Sequence, residues 1–213
     1  MPGSPIDEIL NRLHALQAEL EGEIDRLLSE KRERFRYNLE QGRVRFERGM
    51  QALQRRQKVG VWAYLRTARL GHLFTAPVIY SALIPFALLD ATVTFYQHVR
   101  FPVYGIPRVN RADYFTIDRQ HLAYLNAIEK INCAYCGYSN GLIEYVREIS
   151  ARTEQYWCPI KHARRTPDPH RLVVRFVDYG DADTYKARLR ELRSEIAILE
   201  KVDSCVSNDR AGK

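Results

Sequence analysis

The feature that most constrains this chain is an apolar run. No charged residue stands between Leu73 and Leu89, and with Asp90 as the one interruption the apolar character continues to Tyr96. A membrane-crossing helix needs about 20 predominantly apolar residues, and the span 73–96 supplies 24. Asp90 lies toward one end of it, where headgroup depth would accommodate a charge. Pro77 and Pro85 bear on the path. A single crossing tolerates both when neighbours satisfy the freed backbone groups. Pro85, at the centre, also suits a helical hairpin that enters and leaves by one face, with arms of about 12 residues, each too short to cross.

The flanks match this reading. Arg55, Arg56, Lys58, Arg66 and Arg69 precede the apolar run, with Trp62 and Tyr64 among them. Basic side chains beside amphipathic rings are what an anionic headgroup layer selects. Arg100, Arg108 and Arg111 follow the run, and five cations against three favour a cytoplasmic N-terminus. The net charge of +7 is concentrated: residues 1–30 hold 2 basic and 7 acidic side chains, residues 31–70 hold 12 and 3. These arginines are dispersed around a helix without a recognition motif, so nucleic acid is not an expected partner. A mean hydropathy of −0.40 belongs to a mostly soluble chain and keeps a buried core helix as the alternative. The first residues lack a basic segment leading into an apolar one, and no cleaved export signal is expected.

Both ends read as helix. Ile6, Leu10, Leu13, Gln17, Leu20, Ile24 and Leu27 alternate steps of four and three, a heptad seam with one polar member. Ser4-Pro5 suits an N-cap and first helical position, and the pattern continues less strictly through Phe35, Leu39, Phe46 and Leu53. The segment 1–55 is therefore expected as a coiled-coil-like helix. Tyr185, Leu189, Leu192, Ile196 and Leu199 repeat the spacing near the other end. Each stripe needs a cover: the other stripe, a second copy of the chain, a protein partner, or the chain's own domain.

The chain has four cysteines, three of them between these elements, too few for a disulfide framework in a chain of this length. Asp118 is placed to cap a helix bearing Leu122, Leu125 and Ile128, which leads to Cys133 and Cys136 as a CxxC. A second helix is expected around 141–155, leading to Cys158 and His162 as a CxxxH. Two close pairs of N/S donors are the usual offering to tetrahedral zinc. Pro159 suits the first position of a new helix capped by Cys158, where the helix N-terminus favours a thiolate. The expected metal ligands are thus Cys133, Cys136, Cys158 and His162, with Glu129 and Glu154 as outer carboxylates. Iron or an iron–sulfur cluster is the alternative cofactor, and a redox-active dithiol would use the same CxxC. Cys205, in a polar tail, is expected to take no part.

The stretch from Tyr104 to Arg165 contains the blocks NCAYCGYSNG and ARTEQYWCPIKHA. In these it resembles a family of small uncharacterised bacterial membrane-associated proteins sharing NCxYCxYxNG and ARTEQYWCPIKHA, over about 97–182. The resemblance implies a bacterial protein beside the inner membrane and carries no catalytic residue onto this chain.

The resulting expectation is a mainly α protein: coiled-coil-like helix (1–55), basic amphipathic shoulder and membrane segment (56–100), Cys/His metal-binding domain (101–180), amphipathic helix (181–205) and tail (206–213). Its expected role is membrane association with a structural zinc site and helical arms for self-association or partner binding. A membrane-bound oxidoreductase is the alternative. Arg55, Arg56, Lys58, Trp62, Arg66 and Arg69 are the expected membrane-interface residues.

Overall fold

The structure is a computed structural model that describes residues 5–40, 43–164 and 166–211; for residues 5–8, 10, 11, 14, 39, 40, 43 and 198–211 it describes the backbone alone. The chain is mainly helical. In order it forms α1 (Pro5–Phe35), a hairpin of β1 (Tyr37–Glu40) and β2 (Arg43–Phe46), α2 (Arg48–Arg56), α3 (Val61–Thr67), α4 (Leu70–Ser81), α5 (Leu83–Tyr104), α6 (Ala127–Trp157) and α7 (Ala182–Ala211). Two compact units result: residues 1–69 with 117–134, and residues 70–116 with 135–213.

In the first unit, α1 ends earlier than the 1–55 helix expected. Arg36 turns the chain at φ 48°, and β1 and β2 then pair antiparallel with Tyr37 opposite Phe46. Their rings lie 5.4 Å apart. Arg43-Val44-Arg45-Phe46 alternates with period two, a strand pattern that outweighs the looser helical spacing. Ile9, Leu13, Leu16, Leu20, Ile24 and Leu27 on α1 are all exposed. Ser4 and the side chains of Ile6 and Leu10 lie outside the described residues. The expected helix after Asp118 is instead a single 3-10 turn, Arg119–His121. The long helix begins at Ala127, where Asn126 and Glu129 form a reciprocal capping pair: the Glu129 amide donates to Asn126 Oδ1 at 3.0 Å, and the Asn126 amide to Glu129 Oε2 at 2.8 Å.

The second unit is organised around α6, which runs 31 residues without a break at Gly137 or Gly141. Two helices were expected over this stretch. Glycine costs only about 1 kcal/mol in a helix interior, and the burial of Leu142, Tyr145 and Ile149 outweighs that. Gly141 itself is required, because a Cβ there would lie 2.6 Å from the carbonyl oxygen of Tyr114. Phe101 and Ile106 join the same core, as do Val109, Leu172, Phe176 and Ile196. α5 stops in a Schellman arrangement: Gly105 takes φ 66°, and the Ile106 amide reaches back to the Phe101 carbonyl at 2.9 Å.

α7 lies on its own unit. Leu192 and Ile196 are fully buried, Tyr185 and Leu189 half-buried, and Gln155 Nε2 donates to the Leu192 carbonyl at 3.0 Å. Leu199 and Cys205 have side chains outside the described residues. Cys158 caps no helix. The segment after it is pinned as extended chain, with Val177 N donating to Pro159 O and Lys161 N to Val177 O.

Candidate functional site

The apolar run folds as α4 and α5, and together Leu70–Tyr104 make one helical rod long and apolar enough to cross a membrane. Only Ala82 separates the two helices, and it keeps right-handed values of φ −65° and ψ −15°. The chain therefore continues in one direction, and the re-entrant hairpin expected as one possibility does not form. Pro85 sits in the first turn of α5, where its missing N–H costs little.

α5 departs from a soluble amphipathic helix in carrying large apolar side chains on its outward face as well as toward the core. Ile84, Leu88, Phe95, Val99 and Val103 point outward and are exposed. Phe86, Asp90, Val93, Gln97 and Phe101, spaced four, three, four and four, face the core of the unit. A soluble surface helix presents polar and charged side chains on that outward face. α4 before it is largely apolar and buries no residue; of its large side chains Phe74 and Leu70 are the most open.

Asp90, the one charge in the run, does not face outward. Its carboxylate is turned inward and collected by three donors. Arg111 Nη2 lies 2.5 Å from Oδ2, Tyr138 donates its phenolic proton to Oδ2 at 3.1 Å, and Thr94 Oγ1 donates to Oδ1 at 3.3 Å. The Arg111 guanidinium also sits 4.0 Å over the Phe115 ring. Burial, and then the hydrogen bond to Asp90, push the Tyr138 phenol above its ordinary value. Two turns on from Asp90, Gln97 accepts from the Val109 amide at 2.9 Å and donates to the Tyr145 hydroxyl, tying the loop after α5 to the helix. A shallow cleft of about 640 Å³ opens here, lined by Ala87, Ala91, Phe95 and His98 beside the Asp90–Arg111 pair. Charges within apolar helices that turn inward and pair are the pattern expected of protein surrounded by lipid.

The basic shoulder lies in the first unit. Arg55 and Arg56 end α2, Lys58 follows it, Trp62 and Arg66 belong to α3, and Arg69 directly precedes α4. All six are exposed, Trp62 at 78%.

The expected metal ligands are not brought together. Cys136 is about a third of the way along α6 and Cys158 follows its last residue. Twenty-two helical residues at about 1.5 Å each separate them by about 33 Å, while ligands of one zinc stand within a few ångström of each other. Cys133 lies three positions before Cys136 on the same helix. The physical reason is the merger of the two expected helices into one. Glu129, expected as an outer carboxylate, is engaged as a helix cap.

Glu154 has a different environment. Its Oε2 lies 2.8 Å from His170 Nε2, and its Oε1 lies 4.0 Å from His162 Nε2. Cys158 is one turn further along, and burial, together with the Glu154 charge, raises its thiol pKa. No spacing rule links His170 to Glu154. Nearby, Glu148 is buried between Arg152 (Nε to Oε1, 2.8 Å) and Arg171 (Nη2 to Oε1, 2.6 Å). Burial alone would raise this carboxyl, but the two guanidinium groups outweigh it and hold it below its ordinary value. Among the described residues, no group of three or more His, Cys, Asp or Glu side chains is placed to hold a metal ion. No protein family, curated protein or solved structure matches the chain.

Proposed function

We propose that this chain is a membrane-associated helical protein that anchors through α4 and the outward face of α5. The observation that carries the reading is the apolar outward face of α5, exposed while the helix's one acidic side chain, Asp90, is turned inward and paired. In water that surface is costly, at about 25 cal/mol per Å² of apolar area; in hydrocarbon it is at home. The exposed cations and Trp62 supply attraction to anionic headgroups, and the cytoplasmic face of a bacterial inner membrane suits that chemistry. The seam of α1 supports a second part of the reading, association with another copy or a partner protein, since six exposed apolar residues at heptad-like spacing favour pairing.

Flotation with phosphatidylglycerol-containing vesicles tests the anchor. The untagged chain is expected to float, and the triple variant Ile84→Asp, Leu88→Asp, Phe95→Asp to remain at the bottom with unchanged helical circular dichroism. A wild-type chain that stays monodisperse without detergent and never floats would remove the proposal.

A further inference from the structure

The helices α5 and α6 end against each other, and both end on an aromatic residue. Tyr104 closes α5 and Trp157 closes α6. With Tyr156 they form a triangle of rings whose centroids stand 5.1, 5.2 and 5.4 Å apart. Two cations stack on it. Arg100 lies 5.2 Å over the Tyr104 ring, and Arg193, brought in by α7, lies 4.7 Å over the Tyr156 ring. All five residues belong to the second unit.

This cluster is built unlike a core. Trp157 is 45% exposed and Arg100 is exposed, while Tyr104 and Tyr156 are half-buried. Among the described residues, no hydrogen bond takes the Trp157 indole N–H or the hydroxyl of Tyr104 or Tyr156. A ring buried within a protein usually finds a partner for its polar tip. Neither Arg100 nor Arg193 forms an ion pair among the described residues. Arg193 Nε donates to the Tyr156 carbonyl at 2.9 Å, which holds its charge beside the rings without neutralising it. The cluster also continues the outward face of α5: Phe95, Val99 and Val103, spaced four apart and all exposed, lead to it.

Amphipathic rings beside unneutralised cations, at the edge of an exposed apolar face, suit the layer where hydrocarbon gives way to headgroups. The geometry points to Arg100, Tyr104, Tyr156, Trp157 and Arg193 as a belt that seats the C-terminal ends of α5 and α6 at the headgroup level of an anionic bilayer. The rings enter the boundary, their N–H and O–H groups meet water and lipid esters, and the two guanidinium groups attract lipid phosphate. The belt rests on the reading of α5 as a lipid-facing helix. It adds contacts from α6 and α7, which lie outside the apolar run.

The chain's own indoles supply the test. It has two tryptophans, and Trp62 is exposed, so Trp62→Phe keeps the fold and leaves Trp157 as the one reporter. This full-length variant is bound to phosphatidylglycerol vesicles whose acyl chains are brominated either near the headgroup or near the chain end. Trp157 emission is expected to shift to the blue and to be quenched more by the bromines near the headgroup. Arg100→Gln is expected to weaken partitioning to phosphatidylglycerol vesicles about fivefold at low salt, and to leave partitioning to phosphatidylcholine vesicles unchanged. Trp157 emission unaltered by vesicles that the chain does bind overturns the belt alone and assigns the cluster to a protein contact or to the unit's own surface. Stronger quenching from the chain end, or undiminished partitioning of Arg100→Gln to phosphatidylglycerol, overturns it too. A chain that never floats with the vesicles removes the anchor and the belt together.

Discussion

Gly141 and Glu148 sit two turns apart on α6 and illustrate how single residues hold the second unit. A methyl group at Gly141 would meet the Tyr114 carbonyl at 2.6 Å, a backbone atom that cannot rotate away. Gly141→Ala is expected to destabilise the unit by about 1–3 kcal/mol, read from denaturant unfolding, although alanine is the better helix former. Glu148 is depressed below its ordinary value by Arg171 and Arg152 acting against burial. A depressed folded value means the contribution is full above the unfolded value of about 4.5 and is lost as pH falls through the folded one. Glu148→Gln is expected to cost about 3–5 kcal/mol at neutral pH, since two guanidinium groups lose their partner. The variant's stability should also fall less steeply than the wild type's below pH 4.5, as followed by acid titration of near-ultraviolet circular dichroism. At this scale the sequence was partly legible. Asp90 was visible as the one charge in the apolar run, but its partner Arg111 lies 21 residues on and its partner Tyr138 lies 48 on. No periodicity reports such pairs.

At the scale of elements, the apolar rod and the α7 seam follow directly from residue spacing, because one surface decides each of them. The seam of α7 is covered by its own unit, which spacing alone left open. Leu192→Ala is expected to cost about 2–5 kcal/mol in chemical unfolding, since Leu192 is fully buried. Leu20→Ala on α1, at an exposed position, should change the same measurement in the monomer by no more than about 0.5 kcal/mol. A larger loss at Leu20 would mean that α1 is covered within the chain. The elements that were misread share one cause. The stretch between the CxxC and residue 141 read as a gap between two helices, and Cys158-Pro159 as a cap and first turn, because local signals are weighed without tertiary contacts. Packing of Leu142, Tyr145 and Ile149 joins the first pair of helices into one, and the bonds to Val177 hold the second segment extended. The metal-ligand set fell with that geometry: close pairs of donors are legible in sequence, whereas the distance between pairs is set by the helix that separates them.

For the whole molecule, the account rests on where apolar surface is exposed. The second unit has a core of its own, and yet α4 and α5 leave Phe74, Ile84, Leu88 and Phe95 uncovered beside an inward-facing Asp90–Arg111 pair. Exposed apolar area on this scale marks a surface that meets lipid or another protein, and the exposed basic shoulder in the preceding sequence favours lipid. The measurement that tests this most directly is the accessibility of nitroxide labels placed one at a time in a chain whose four cysteines are replaced by serine, bound to phosphatidylglycerol vesicles. Labels at Leu88, Phe95 and Val99 are predicted to be open to oxygen and shielded from aqueous nickel, and a label at Glu144 to show the opposite. Nickel access at the three α5 positions equal to that at Glu144 would contradict the account.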